Sequence, residues 1–484
     1  MKPSQRLLLA TLSLLSALAG PSFAAESAAP PTSKPNIIVI VADDLGYGDL
    51  GFQGGKDVPT PHIDSLAKNG VRFTDGYVTG TVCSPTRAGL VTGRYQQRFG
   101  HEFNPGGVDQ TAGTLLGLPL SESTIADALK KVGYKTALVG KWHLGSNEKL
   151  RPQQRGFDEF YGFLGGAHPY VPNDKNTAGG GPIFRGNEEI ETPAHLTSAF
   201  GEEAAAFIER QKKGDPFYLQ LTFNAVHNPL QPDAEHLARF EKISDPKRRA
   251  YAGLLSGLDD AVGDVLKALQ ESGQEENTLV FFISDNGGPQ QGNGSNNAPL
   301  TGDKATVLEG GIRVPFVLQW KGKVPAGSVY KQPVISLDIP ATAAELAGAT
   351  LGSPERPIDG VNIVPYVLGE KQAAPHKSLY WRAGPQHAIR QGNYKLRQQA
   401  NQAPKLFDVV ADVAEQQDLA SAKPEVVKEL AAAYDEWDKQ LAKPLWKGGQ
   451  RKGRQQNAAQ RAARAERRAK ATPTVTPAPA ANPS

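Results

Sequence analysis

The sequence predicts an α/β protein: a large mixed, mostly parallel sheet sandwiched by helices, with a smaller C-terminal α+β subdomain. Three observations predict it. Short apolar, β-branched runs alternate with helical patterns from Asn36 to about Gly369, the rhythm of parallel sheets covered on both faces. Four of those runs deliver a polar residue just beyond their carboxyl ends, the edge at which open α/β sheets bind ligands. Beyond Gly369 the pattern changes to closely spaced short strands and one amphipathic helix.

The first run, 36–41, is continuous and apolar, and it ends at Ala42-Asp43-Asp44. Thr124 is placed to cap a helix whose third residue is Asp127, with Ile125, Ala128, Leu129 and Val132 as its apolar stripe and Gly133 as its stop. Residues 135–139 form the next strand, running into Gly140-Lys141-Trp142-His143. Residues 217–223 form another, followed by Asn224-Ala225-Val226-His227. Residues 279–283 are the cleanest strand and lead into Ser284-Asp285-Asn286. In the subdomain, residues 380–382 and 388–390 read as two antiparallel strands with a turn at Gly392-Asn393, and 406–408 as a third. Residues 424–441 read as a helix with Val427, Leu430, Ala431, Tyr434 and Trp437 on one side.

The ends of the chain differ from its body. Lys2 and Arg6, an apolar stretch from Leu7 to Leu18 and then Pro21-Ser22-Phe23-Ala24-Ala25 have the order of a cleavable secretory signal, expected at 1–24. That stretch is too short for a membrane span, and no later segment is apolar enough. The expected protein is exported, periplasmic or extracellular, with no transmembrane segment. The main domain is expected at 34–369, the subdomain at 370–446 and a tail at 447–484. The whole chain carries a formal charge of +3, but the tail is crowded with Arg and Lys before it becomes Pro- and Ala-rich. It reads as a solvated extension or as an electrostatic tether to a polyanion. No nucleic-acid-binding module is recognisable, so nucleic acid is not an expected partner.

Two strand ends carry only oxygen donors, Asp43-Asp44 and Asp285-Asn286, which suits a hard cation. Either pair alone is an ordinary loop; both at one sheet edge argue for one site. The nine histidines are scattered, with no close pair for a di-zinc centre. The only cysteine, Cys83, cannot close an intramolecular disulfide, and a buried free thiol is its plain alternative. Ser84 as cap and Pro85 as first helical residue predict a helix starting just after it. Residue 83 then lies at the positive end of that helix, with Arg87 one turn on. The glycine-rich stretch 292–302 lacks phosphate-loop spacing, which argues against a nucleotide site.

The run Cys83-Ser84-Pro85-Thr86-Arg87, continued by Ala88-Gly89-Leu90-Val91-Thr92-Gly93-Arg94, resembles the signature of the sulfatase family. Gly133-Tyr134-Lys135-Thr136 followed by Gly140-Lys141-Trp142-His143-Leu144-Gly145 is similar to the second signature. The resemblance extends from Lys34 to about Leu441 and implies an alkaline-phosphatase-like fold. It implies that Cys83 is oxidised to formylglycine (3-oxoalanine) by a maturation enzyme, and that Asp43, Asp44, Asp285, Asn286 and residue 83 bind one Ca²⁺. A cage of protein oxygens fits Ca²⁺ better than the alternative, Mg²⁺, which keeps its waters. Further implied roles are Lys141 and Lys304 as sulfate contacts, His143 as the base of the elimination and His227 as the acid for the leaving alcohol, with Arg87 in the catalytic set. Asp303 and Ala305 are unusual neighbours for Lys304.

The implied reaction is hydrolysis of a sulfate ester, on a sulfated carbohydrate, through a formylglycine hydrate. The alternatives are a phosphoester or phosphonate monoester hydrolase of the same superfamily, and a non-catalytic polyanion-binding protein. Specificity belongs to loops; candidate sugar contacts are Arg98, His101, Glu102, His168, Tyr170, Arg382 and His387. Sugar identity and oligomeric state are not encoded in any motif.

Overall fold

The computed structural model describes residues 34–105, 115–172 and 181–448; the expected signal 1–24 and the tail from residue 449 lie outside the described residues. The first apolar run forms β1 (Asn36–Ala42), buried along its whole length. Its side chains alternate between two cores. Ile38, Ile40 and Ala42 pack with Ile63, Leu66, Phe200 and Val262, whereas Ile37, Val39 and Val41 pack with Ala88, Val91, Leu129 and Ile339. The helices Pro61–Lys68, Leu196–Glu209 and Pro246–Glu271 therefore cover one face, and Cys83–Thr92, Ile125–Lys131 and Asp338–Ala347 the other. Each fully buried aliphatic side chain contributes about 1.5–3 kcal/mol, so a strand apolar on both faces belongs in the middle.

The remaining strands of the main domain are β2 (Val71–Phe73), β3 (Gly76–Tyr77), β4 (Lys135–Lys141), β5 (Glu159–Phe163), β6 (Ile183–Arg185), β7 (Glu188–Ile190), β8 (Phe217–Thr222), β9 (Thr278–Ser284), β10 (Phe316–Trp320), β11 (Ser328–Tyr330) and β12 (Val334–Ile335). Nine of them and β1 form one ten-stranded sheet in the order β11-β2-β10-β9-β1-β8-β4-β5-β6-β7. The central five, β9 to β5, run parallel, and the flanks turn antiparallel at β10 and β6. Register aligns Ala42 with Ser284, and both Val41 and Gly140 with Thr222. Four strands thus end together, and the residues that follow them meet at one edge.

The helix Ile125–Lys131 opens with the expected capping box between Thr124 and Asp127. The C-terminal sheet has four antiparallel strands: β13 (Ser378–Ala383), β14 (Gln386–Gln391), β15 (Tyr394–Gln398) and β16 (Lys405–Asp408). This corrects the sequence reading, which lacks β15; the turn expected at Gly392-Asn393 is present and joins β14 to β15. Lys395 and Arg397 hide β15 from a hydropathy reading. Both are buried, because Lys395 pairs with Glu309 at 2.8 Å and Arg397 with Glu415 at 2.9 Å. The helix Pro424–Asp438 lays Leu430, Tyr434 and Trp437 on this sheet. Trp437 stacks on Tyr380 and meets Tyr95 of the main domain edge-on.

His376 ties the connection between the two parts to the main domain, its Nε2 lying 2.8 Å from Asp338 Oδ1. Burial opposes a charge on this imidazole, yet the Asp338 carboxylate raises its pKa above the ordinary 6.5. A raised folded-state value means stability that is fully present below about pH 6.5 and lost as pH rises through the folded value. His376→Gln keeps a donor but not the charge. It is expected to cost of order 1 kcal/mol at about pH 5.5 and clearly less at about pH 8.5. Denaturant melts at both pH values check this, and equal losses would refute it.

Candidate active site

The helix Cys83–Thr92 begins at Cys83 itself, with Val82 as an N-cap residue that makes no side-chain cap. Ser84 is therefore inside the helix, contrary to its expected place as the cap, and Pro85 sits in the first turn, where it is tolerated. The free N–H of Ser84 is met by Asn104 Oδ1 at 2.9 Å, a cap supplied from the following loop. The Ser84 hydroxyl is released for other work. It donates to the His143 carbonyl at 2.6 Å, so the His101 Nε2 at 2.7 Å is the donor to Ser84 Oγ. Burial pushes His101 down to about 3, which keeps that ring neutral.

Around residue 83 the four strand ends converge. Asp43 and Asp44 follow β1, Asp285 and Asn286 follow β9, Lys141 ends β4, and His227 follows β8. Cys83 Sγ lies 3.5 Å from Asp43 Oδ1 and 3.3 Å from Lys304 Nζ. The carboxylates are matched by cations. Lys141 Nζ bonds Asp43 Oδ2, Lys304 Nζ lies 2.6 Å from Asp44 Oδ1, and Arg87 grips Asp285 Oδ2 through Nε at 3.0 Å and Nη2 at 2.8 Å. Burial opposes ionisation of Asp43 and Asp44, but Lys141 and Lys304 hold both below the usual carboxylate range. Burial, then the Asp285 charge, pushes the Cys83 thiol up to about 12. Burial, then Lys141, Arg87 and Lys304, drives His143 well below its ordinary value, leaving a neutral imidazole.

The backbone is strained here. Asp44, His143 and Ala305 have φ of 64°, 58° and 72°, three of the five positive values among described non-glycine residues. Concentration of such conformations at one site marks geometry held for function rather than stability. Glycine is needed beside them: a Cβ on Gly166 would lie 2.6 Å from His143 Nε2. The C-terminal subdomain holds the segment bearing Lys304. Gln386 Nε2 donates to the Ala305 carbonyl at 3.1 Å, and Glu415 accepts the Glu309 N–H at 2.7 Å.

The donor set fits a hard cation. Donor atoms of Asp43, Asp44, Cys83 and His227 lie within 4.8 Å of one another, so His227 joins the group. Asn286 spends its amide nitrogen on Asp44 Oδ1 and the Gly287 carbonyl, while its Oδ1 is buried without a donor. A buried carbonyl oxygen without a donor, beside carboxylates, is suited to an oxygen-ligated ion such as Ca²⁺.

The expected sugar contacts fare differently. Arg382 places Nε on Glu102, Nη1 on Asp438 and Nη2 on the Ala442 carbonyl, all at 2.8–2.9 Å, and so ties the subdomain to the Glu102 loop. Arg98 is spent on Asp359 and Gln440. His168 is buried, with Nδ1 at the Pro169 carbonyl and Nε2 at the Gly181 carbonyl. The Tyr170 hydroxyl lies 2.7 Å from the Asn224 carbonyl and 2.8 Å from that of His227, bracing the His227 loop. His387 stacks on Tyr434 with ring centroids 4.4 Å apart. Asn104 and Trp446 were missed, because capping and ring contacts from distant loops carry no local signal. Trp446 Nε1 lies 3.1 Å from the Phe103 and Asn104 carbonyls.

Comparison with known proteins agrees with this geometry. The family model for Sulfatase matches residues 35–349. The chain is 35% identical over 384 residues to N-acetylgalactosamine-6-sulfatase of Homo sapiens, covering 75% of this chain and 71% of that protein. It is 35% identical over 396 residues to an arylsulfatase of Hemicentrotus pulcherrimus, covering 75% and 67%. Among solved structures it is similar to Ps i-CgsB in complex with k-i-k-neocarrahexaose, with a TM-score of 0.81, 36% identity and coverage of 87% of this chain and 96% of that one. On signatures, fold and overall similarity together, the chain belongs to the sulfatase family, the sulfuric ester hydrolases.

Proposed function

We propose that the protein is an exported, Ca²⁺-dependent sulfatase that removes sulfate from a sulfated carbohydrate, using formylglycine at position 83. The observation that carries this reading is the meeting of residue 83, three carboxylates, the buried cations Arg87 and Lys141 and the half-buried Lys304 at a helix N-terminus, where a sulfate group is stabilised. The similarity to an N-acetylgalactosamine-6-sulfatase and to a protein solved in complex with k-i-k-neocarrahexaose supports a carbohydrate as the alcohol part.

Once converted by a maturation enzyme, residue 83 would supply a hydrated aldehyde: one hydroxyl oxygen would bond to sulfur as the ester S–O bond to the alcohol breaks, and the other hydroxyl would lose its proton as the carbonyl re-forms and the C–O bond to sulfate breaks. A Ca²⁺ held by Asp43, Asp44, Asp285 and Asn286 supplies fixed positive charge at that centre. Lys141 and Lys304 offer ammonium groups to the sulfate oxygens. His227 Nδ1 lies 2.6 Å from the Asn228 carbonyl, which can only accept, so Nδ1 donates there. Nε2 is then the free nitrogen, and in the imidazolium form it is the one that would pass its proton to the leaving alcohol, returning the ring to the Nδ1–H tautomer. His143, with its buried, unpartnered Nδ1, is the residue assigned to take the proton of the second hydroxyl.

The test uses protein whose residue-83 peptide has the aldehyde mass. It should release sulfate from p-nitrophenyl sulfate and from a sulfated galactan oligosaccharide. A Ca²⁺ chelator should slow this by about 10²–10³-fold, the scale of losing one preorganised electrostatic partner, and added Ca²⁺ should restore it. Faster turnover of phenylphosphonate than of either sulfate ester would replace this reading with a phosphonate monoester hydrolase.

A further inference from the structure

His227 is held through its main chain more than through its ring. Nδ1 is spent on the Asn228 carbonyl at 2.6 Å, and Nε2 lies 3.5 Å from Asp44 Oδ2, too far for a strong bond. The direction of Nε2 therefore depends on how the loop 224–227 beyond β8 is fixed. The middle of that loop is laced to Asp43: Asp43 N–H donates to the Ala225 carbonyl and Val226 N–H to the Asp43 carbonyl, both at 2.8 Å. Its ends are joined by His227 N–H on the Asn224 carbonyl at 2.9 Å. A side chain from another segment joins them again. The Tyr170 hydroxyl lies 2.7 Å from the Asn224 carbonyl and 2.8 Å from that of His227.

Tyr170 is itself anchored. It is 1% exposed, its N–H donates to Gln231 Oε1 at 3.0 Å, and its carbonyl accepts the Leu196 N–H at 2.8 Å. Its ring stacks on that of His195 with centroids 5.5 Å apart. Burial, then the charges of Asp43 and Asp44, push the phenol well above its ordinary value of 10. The hydroxyl therefore stays a donor, with one proton for two carbonyl acceptors. It is a fixed point against which the His227 main chain is set.

We propose that Tyr170 is a positioning residue for proton delivery: its hydroxyl sets the His227 main chain so that Nε2 meets the leaving oxygen. The inference rests on the proposed role of His227 as the acid. In that step the ester S–O bond breaks with its electron pair on the alcohol oxygen, and that oxygen takes the Nε2 proton. How much the proton matters depends on the alcohol. A p-nitrophenolate leaves as a stabilised anion, whereas a sugar alkoxide or an electron-rich phenolate needs the proton in the transition state. A positioning defect therefore grows with the basicity of the leaving group, and a general loosening of the fold does not.

The test measures kcat/KM for a series of phenyl sulfates from p-nitro to p-methoxy, on the converted full-length enzyme and its Tyr170→Phe, His227→Asn and double variants. This ratio reports the steps up to departure of the alcohol. Tyr170→Phe should lose about 10-fold or more on p-methoxyphenyl sulfate and no more than about threefold on p-nitrophenyl sulfate, part of the about 10²–10⁴-fold that a placed acid contributes. The plot of log kcat/KM against leaving-group pKa should steepen. Adding Tyr170→Phe to His227→Asn should steepen it no further, because one residue acts through the other. An equal loss on every ester, or no loss, overturns the inference, as does additive steepening in the double variant. A steep plot for His227→Asn beside the parent slope for Tyr170→Phe sinks the inference alone. The parent slope in His227→Asn sinks the acid assignment, and the inference with it. If a melt shows Tyr170→Phe unfolded, Gln231→Ala takes its place under the same criteria, since it frees the Tyr170 N–H and keeps the hydroxyl.

Discussion

Cys83→Ala is expected to lower sulfate release by at least about 10⁴-fold, the scale seen when the covalent nucleophile of an enzyme is removed. The fold should survive. Residue 83 is fully buried, but its sulfur makes only long contacts, 3.3 Å to Lys304 and 3.5 Å to Asp43. Trimming one buried atom costs about 1 kcal/mol. Sulfate release and a circular-dichroism melt separate the two effects. Unconverted wild-type protein should be as inactive as the alanine variant, because burial holds its thiol protonated at neutral pH. Activity within tenfold of the converted enzyme in either protein would remove residue 83 from the chemistry.

Arg87→Met should be the most damaging substitution for stability, at about 3–5 kcal/mol, because it leaves a buried carboxylate without its partner. The Arg87 guanidinium joins three elements. It extends from the helix Cys83–Thr92, meets Asp285 beyond β9 through two nitrogens and donates to the Lys141 carbonyl at the end of β4 at 3.0 Å. Arg87 is 1% exposed and Asp285 0%, so water cannot take over either role. Methionine fills much of the volume and removes the charge. Arg87→Lys should recover part of the stability but not the geometry, since an ammonium cannot span Asp285 and Lys141 as a planar fork does. Denaturant unfolding reads the first effect and kcat with p-nitrophenyl sulfate the second. A loss under about 1 kcal/mol for Arg87→Met would show that the pair does not hold this edge together.

Much of the site was legible because its residues sit directly after strands whose apolar runs stand out. Asp43, Asp285 and His227 could each be placed by counting from the last buried position of β1, β9 and β8. The capping box at Thr124 was legible for the same reason: its partners are three residues apart. The errors have one cause. Ser84 looks like a cap because only its own neighbours are visible in the sequence, while Asn104, twenty residues on, does the capping. Strand β15 was missed because Lys395 and Arg397 read as solvent-facing until Glu309 and Glu415 are seen to neutralise them. Nor does the sequence around Arg382 and His168 show their partners, which are distant for the arginine.

By itself the sequence determined the α/β class, the strands and the residue types delivered to their carboxyl ends, since these depend on periodicity within a few positions. Tertiary structure alone decided which cation neutralises which carboxylate, which polar side chains are engaged by distant partners, and that the chain returns to the 101–104 loop at Trp446. Those outcomes depend on burial and on contacts between segments tens to hundreds of residues apart. There a charge is stable only if the fold brings it a partner, and no local pattern records that partner.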